Sequence, residues 1–181
     1  MNAIDAIMAR KSVRGYLPKA VEDEKLNTIL AAGNKTAHAG PLFMTVIRDR
    51  NLIDDIDAKV KAAVEASDNA FLKGRFAIPG YTCTYGAPVL IILSAPAEGN
   101  GKANAAGAAA NMGVAAVELG LGSCVLGSVL TGFAAYPELA ARIGIPEGNV
   151  PQYGFILGYE GPSAIPPREG NELKDNINFV D

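Results

Sequence analysis

Three cations and a hydroxyl fall within five residues near the start of the chain, in the run Arg10-Lys11-Ser12-Val13-Arg14. Side chains alternate along an extended segment, so Arg10, Ser12 and Arg14 would point to the same side. Two guanidinium groups and a hydroxyl that converge in this way suit a phosphate, because each arginine offers a fork of N–H donors. A solvated basic turn is an equally good interpretation of these five residues alone.

The surroundings of this run, and three later segments, favour the phosphate site. The run continues as Arg-Lys-Ser-Val-Arg-Gly-Tyr after a short Ile-Asp-Ala-Ile-Met-Ala stretch. The later segments are residues 84–92, which begin Thr-Tyr-Gly-Ala-Pro, residues 109–124, and residues 143–148 with 157–159. In this order they resemble the motifs of the nitroreductase family, whose members depend on flavin mononucleotide (FMN). The resemblance spans nearly the whole chain, and the combination is far more specific than any one segment.

The resemblance implies a set of cofactor contacts. The arginines and the serine of the opening motif would hold the FMN phosphate and neighbouring ribityl oxygens, a strand end would lie along the isoalloxazine, and a basic residue of the tail would close over the phosphate. The expected contacts are Arg10, Lys11, Ser12, Arg14, Lys35, Thr36, His38, Val125, Leu126, Gly127 and Arg168. From the residues alone, 125–127 also fit an ordinary buried strand end, and Arg168 a surface charge.

One loop departs from the family pattern. Many members have a Pro-Ser-x-x-Asn-x-Gln-Pro type loop where residues 33–41 read Gly-Asn-Lys-Thr-Ala-His-Ala-Gly-Pro, with His38 at the Asn position and Gly40 at the Gln position. In the family this loop reaches the flavin of the other subunit, which implies that Lys35, Thr36 and His38 do so here. His38 is either a hydrogen-bond donor near the flavin or substrate or an ordinary polar loop residue. The replacements bear on substrate identity more than on fold.

The periodicity of apolar residues predicts the elements that position these groups. Helices are predicted from residue 4 to the basic run and over 22–33, 52–66, 105–121 and 136–143. Strands are predicted over 43–47, 89–93, 123–126 and 153–157, and residues 71–86 are predicted to be irregular. This order favours a mixed α/β or α+β layer. The resemblance implies a nitroreductase-like α+β fold in three layers, with a central, mostly antiparallel sheet flanked by helices.

Two features suggest a second copy of the chain. The helix over 105–121 is so rich in Ala and Gly that another backbone must approach it closely, in the core or in a dimer. The tail, residues 161–181, contains three prolines and an apolar end that needs a surface to cover it. We therefore expect a single FMN-binding domain over 1–181, an intertwined homodimer, and a tail that packs on the partner subunit.

Composition excludes several classes of protein. Hydrophobic residues make up 49% of the 181 residues and charged residues 19%, with a net charge of -3, which suits a compact globule and no nucleic-acid partner. The N-terminus lacks a secretory pattern, and polar residues interrupt the most apolar stretch, so a cytoplasmic protein without membrane contact is expected. Cys83 and Cys124 have no metal-type spacing, and there is one histidine. We expect buried free thiols and no metal.

No residue set indicates a nucleophile with its base, and a flavin enzyme does not require one. Gly120, Gly122 and Gly127 lack the spacing of a dinucleotide-binding loop and follow a helix. The resemblance implies that NADH or NADPH reduces FMN and leaves, and that a nitroaromatic, quinone or similar small acceptor is then reduced in a ping-pong cycle. The alternatives are a flavin-binding carrier or sensor without turnover, and a small-molecule-binding protein that has lost flavin.

Overall fold

The computed structural model of the protein describes residues 2–37, 39–165, 177–178 and 180. The helices are α1 (Ala3–Ala9), α2 (Asp23–Asn34), α3 (Arg50–Glu65), α4 (Ala70–Phe76), α5 (Gly101–Glu118), α6 (Val129–Ala135) and α7 (Glu138–Arg142). The strands are β1 (Phe43–Ile47), β2 (Val89–Pro96), β3 (Gly122–Leu126) and β4 (Asn149–Gly158). Each helix and strand predicted from periodicity is present, with some shifts at the ends.

The four strands form one antiparallel sheet in the order β1-β2-β4-β3. Seven of the eight residues of β2 are buried, as expected of a strand covered on both faces. Leu90 and Ile92 join the core beneath α3, α6 and α7, whereas Ile91 and Leu93 join the core beneath α2 and α5. The predicted α+β class, with an antiparallel sheet between layers of helices, is confirmed.

Close packing against the Ala-rich helix is also confirmed. A Cβ on Gly33 of α2 would lie 2.9 Å from Met112 Cγ of α5, and one on Gly107 would lie 2.5 Å from Thr36 Oγ1. Side chains at these two positions would therefore require Met112 and Thr36 to shift.

Two elements differ from the sequence prediction. Helix α4 (Ala70–Phe76) occupies the start of 71–86, which was predicted to be irregular throughout, and this part of the prediction was wrong. None of the residues of α4 is buried, so no apolar periodicity marks this helix in the sequence. Its first turn is stabilised by a cap, because the side chain of Asn69 accepts a hydrogen bond from Leu72 N at 3.0 Å. Helix α6 was not predicted because Gly132 is a poor helix former. Tertiary packing fixes it, since Gly132 lies against Val60 of α3.

The segment after α1 crosses the sheet end and fixes the basic motif in place. Val13 N donates to Ser123 O at 2.9 Å, and Leu17 N donates to Tyr159 O at 2.9 Å. Residues 161–163 then return over Gly15, where a Cβ would lie 2.0 Å from Pro162 O. In the part of the chain that the structure describes, every helix falls short of what a bilayer crossing requires.

Candidate functional site

The basic motif lies in an extended segment that begins where α1 ends. Arg10 caps α1 with extended backbone angles, and Val13 is buried beneath the segment. Arg10, Ser12 and Arg14 line two surface cavities beside the end of β3. Lys11 turns away from them and pairs with Glu160 at 2.7 Å. The alternation expected of an extended strand therefore separates Lys11 from the other three.

Two adjoining cavities flank the end of β3, and we call them together the cleft. The first has a volume of about 400 Å³ and is lined by Arg10, by a small-residue face of α5 (Ala106, Ala109, Ala110 and Gly113), by residues 123–125, and by Tyr153 and Phe155. The second, of about 310 Å³, is lined by Ser12, Arg14, Phe71, Leu72, Arg75, Tyr81, Tyr85 and residues 124–128. Both parts share Cys124 and Val125, so β3 forms a common floor.

The cleft carries positive charge that the chain itself does not neutralise. Among the described residues, no carboxylate lies within ion-pair distance of Arg10, Arg14 or Arg75. Arg14 Nη1 donates to Ser12 O at 3.4 Å, and the Arg75 guanidinium lies 5.4 Å from the centre of the Phe71 ring. Unpaired guanidinium groups beside a cavity are suited to an anionic ligand.

The end of β3 is open to a flat ligand. Val125 is 43% exposed between the two cavities, whereas the side chain of Leu126 is buried. A Cβ added to Gly127 would meet nothing within 4 Å, so a ligand can approach the backbone there. Gly127 thus exposes backbone to the cleft beside the exposed Val125, as a contact with the isoalloxazine would require.

The polar groups of the cleft do not form a nucleophile with its base. Burial raises the pKa of the Cys124 thiol, although the hydrogen bond with Ser12 and the charges of Arg14 and Arg10 lower it, and the net shift is upward. The thiol therefore stays neutral at physiological pH. Of the described residues that line the cleft, none is His, Asp or Glu. The described residues of the cleft therefore offer a ligand positive charge and hydrogen bonds.

The predicted loop contacts lie outside the cleft of their own chain. Lys35 ends α2, and Thr36 packs on Gly107 of α5. Buried Asn104 anchors the loop from α5, because its Nδ2 donates to Ala39 O at 2.9 Å and its Oδ1 accepts from Ala39 N at 3.3 Å. His38 and Arg168, the other two predicted contacts in the loop and tail, lie outside the described residues.

Sequence reasoning missed several cleft residues, among them one arginine and two tyrosines. Arg75 lies on α4, the helix that periodicity does not reveal, and Tyr81 and Tyr85 lie in the irregular segment after it. The only signal was compositional, namely a cluster of Tyr, Gly and Pro over 79–88 that a packed core does not explain.

Comparisons with known proteins identify the family and the fold. The model of the nitroreductase family matches residues 7–159. A crystal structure of a nitroreductase with bound FMN from Bacteroides fragilis matches this chain with 28% sequence identity and a TM-score of 0.87, and the match covers 100% of each chain. A nitroreductase with bound FMN from Desulfitobacterium hafniense shares the fold, with a TM-score of 0.89 and 23% identity over 100% of both chains. An NADPH-flavin oxidoreductase of Vibrio harveyi is 24% identical over 97% of this chain and 70% of its own length.

Proposed function

The chain belongs to the nitroreductase family, and from that premise we propose that it is an FMN-dependent oxidoreductase that takes hydride from NADH or NADPH. The observation that carries the proposal is the convergence of Arg10, Arg14 and Arg75 on a cleft where no described carboxylate neutralises them. The bound FMN of the Bacteroides fragilis relative, and the flavin named for the Vibrio harveyi relative, support the choice of ligand.

The residues of the cleft fit FMN in charge and in shape. Arg10, Ser12 and Arg14 would hold the phosphate and ribityl oxygens, and Arg75 adds a further cation in the second cavity. The exposed backbone at Val125 and Gly127 would receive the ring, where a backbone N–H could tune its reduction. When bound, FMN supplies the transfer of hydride and electrons. The protein supplies binding, orientation and charge.

The tail supports a further phosphate contact from Arg168. The described chain runs to Ile165 beside the basic motif, where Ser163 Oγ donates to Arg14 O at 2.8 Å. Three further residues span at most about 10 Å, which keeps Arg168 within reach of the same region. We therefore retain Arg168 as a proposed phosphate ligand.

The exposed apolar surface supports a homodimer. Ile4, Ile7 and Met8 on α1 are 67%, 51% and 80% exposed in the single chain. Ala106 and Ala110 of α5 are exposed nearby, and the loop with Lys35 and Thr36 lies outside its own cleft. A partner would cover the apolar side chains and receive this loop, so that Lys35, Thr36 and His38 would reach the partner's flavin.

The acceptor and the order of steps are also proposed. A cleft whose first part is lined by small apolar residues of α5 suits a planar acceptor such as a nitroaromatic or quinone. The nicotinamide would leave before the acceptor enters the same face, which gives ping-pong kinetics. The replacements at His38 and Gly40 favour one rival, a flavin-binding carrier or sensor in which the altered loop excludes the nicotinamide.

Anaerobic mixing of the FMN-loaded protein with NADH or NADPH tests the proposal. We expect the flavin absorbance to bleach within the turnover time of the enzyme and to return when a quinone is added. Bound FMN that neither nicotinamide reduces would favour the carrier or sensor. Failure of the purified chain to bind FMN at all would contradict the cofactor assignment.

A further inference from the structure

A buried carboxylate lies behind the cleft and takes no part in the function proposed above. Asp57 is only 6% exposed, on the inward face of α3 among Ile53, Ile56 and Val60, which are fully buried. A charged side chain in such surroundings requires hydrogen bonds that compensate its lost hydration.

Those hydrogen bonds all come from one loop. Asp57 Oδ1 accepts from Cys83 Sγ at 2.9 Å and from Thr84 N at 3.0 Å, and Asp57 Oδ2 accepts from Thr84 Oγ1 at 2.5 Å. Burial raises the pKa of the Cys83 thiol and the charge of Asp57 raises it further, which keeps the thiol protonated as a donor. Arg50 Nη2 lies 3.9 Å from Oδ2, and Arg50 Nη1 donates to Ala87 O at 3.2 Å. Asp57 and Arg50 therefore hold both ends of the turn 84–87.

The turn held in this way has an unusual backbone. Ala87 N donates to Thr84 O at 3.0 Å, and the two central residues, Tyr85 and Gly86, have φ values of 53° and 76°. Two successive positive φ angles define a type I′ turn, in which Gly, Asn or Asp is the usual residue. A tyrosine in the left-handed region persists where surrounding contacts enforce it, and such residues concentrate at functional sites.

The same turn directs Tyr85 into the cleft. The Tyr85 ring packs edge-to-face on Tyr81 with centroids 5.4 Å apart, and Tyr81 packs likewise on Phe76 at 4.9 Å. Tyr81 and Tyr85 line the cavity that also contains Arg14 and Arg75. We call Tyr81 and Tyr85 the tyrosine wall.

We propose that Asp57 is a positioning residue, whose hydrogen bonds to Thr84 hold Tyr85 in its left-handed conformation so that the tyrosine wall contacts the ring system of bound FMN. The contact with FMN depends on the function proposed above, whereas the control of Tyr85 by Asp57 does not. Asp57 has no contact with the cleft and acts through Thr84 and Tyr85.

Near-ultraviolet circular dichroism of the flavin-free protein tests the control of Tyr85. The chain has six tyrosines and no tryptophan, so the tyrosine band reports on the packing of the tyrosine rings without a contribution from tryptophan. Thr84→Val removes the hydroxyl and keeps the branched shape, while Thr84→Ser keeps the hydroxyl. We expect Asp57→Asn and Thr84→Val to reduce the band and Thr84→Ser to retain it. Asp55→Asn is the matched control, because Asp55 lies on the same helix and pairs with Arg142 at the surface.

FMN titration of the same proteins tests the contact. An aromatic contact of this kind corresponds to a loss of about three- to tenfold in affinity for Asp57→Asn and for Thr84→Val. In a Tyr85→Ala background Asp57→Asn should cause no further loss, because the residue through which it acts is already absent. A merely structural role for Asp57 would instead produce the same loss in both backgrounds.

Each outcome bears on a distinct part of the proposal. Folded Asp57→Asn and Thr84→Val proteins with the parental tyrosine band would overturn the control of Tyr85. If Asp57→Asn does not fold, the Thr84 pair decides the same question. A reduced band with parental FMN affinity would overturn the contact with the ring. Absence of FMN binding by the parent protein would overturn the proposed function and the ring contact together, and the dichroism would still decide the role of Asp57.

Discussion

The cleft and one other pocket of this protein are both lined by arginines, and only the cleft has the character of an anion-binding site. The other pocket, of about 380 Å³, is lined by residues 18–21, 48, 50, 86, 88 and 89, including Arg48 and Arg50, and we call it the paired pocket. There Arg48 pairs with Asp23 and Arg50 pairs with Asp54. In the cleft, by contrast, Arg10, Arg14 and Arg75 have no carboxylate partner within the described part of the chain.

The difference shows that neither arginine content nor cavity volume identifies an anion site. The charge of a guanidinium that already binds a carboxylate is neutralised, and an incoming anion must displace that carboxylate or be repelled by it. A guanidinium without such a partner offers its full fork. Whether the arginines are paired with carboxylates thus decides which of the two regions can bind an anion.

The largest effect is expected from removal of the two motif arginines. Arg10→Ala and Arg14→Ala should each weaken FMN binding by roughly ten- to a hundredfold, since a charge-assisted hydrogen bond contributes ~1.5–3 kcal/mol. Fluorescence titration with FMN measures the change. Arg48→Ala is the control from the paired pocket and should leave FMN affinity unaltered. Parental affinity in both motif variants would refute the assignment of the phosphate site.

A smaller effect is expected at Arg75, which sequence reasoning missed. Arg75→Ala should weaken FMN by about tenfold, because the second cavity loses one of its two cations. Arg75→Lys keeps the charge and should recover part of the affinity. An equal loss in both variants would indicate that the stacking of the guanidinium on Phe71 matters more than its charge.

The comparison can also be reversed by removing the carboxylates that pair with the arginines of the paired pocket. In the double variant Asp23→Asn with Asp54→Asn, Arg48 loses its partner, while Arg50 keeps the 3.9 Å approach of Asp57 Oδ2 and its hydrogen bond to Ala87 O. This variant should create a weak site for inorganic phosphate, with a dissociation constant of about 1 mM, at Arg48. Calorimetric titration of the parent and the variant would show whether a second site appears. If none appears, something other than carboxylate pairing distinguishes the two pockets.

The smallest effect concerns alkaline stability. Burial raises the pKa of Cys83 and Cys124, so both thiols are neutral in the folded protein and ionise more readily when it unfolds. Their contribution to stability is complete below the ordinary thiol pKa of ~8.5 and is lost as pH rises above it. Asp57 raises the pKa of Cys83 further, while Arg14 and Arg10 lower that of Cys124. Urea unfolding between pH 8 and 10 should therefore depend less on pH in Cys83→Ala than in Cys124→Ala, and the reverse order would contradict the roles of these charges.

Much of the fold was predictable because its signals are local. The apolar stripe of α3 repeats with helical period, and Phe43–Ile47 and Val89–Leu93 are apolar runs of strand length. Helix α4 gave no such signal because it buries none of its residues, and α6 depends on Gly132 fitting against Val60. Packing between distant segments carries no periodicity, so sequence inspection could not locate either helix.

In the site, the basic motif and its alternation follow from the sequence, since Arg10, Ser12 and Arg14 share a side in any extended segment. The folded chain was needed to show that Arg75 and the tyrosine wall join them, that no described carboxylate neutralises the three arginines, and that Lys11 instead pairs with Glu160. The two kinds of information differ in range. Side-chain direction follows from the local backbone, whereas the charge balance of a cleft depends on every side chain that folding brings within a few ångströms.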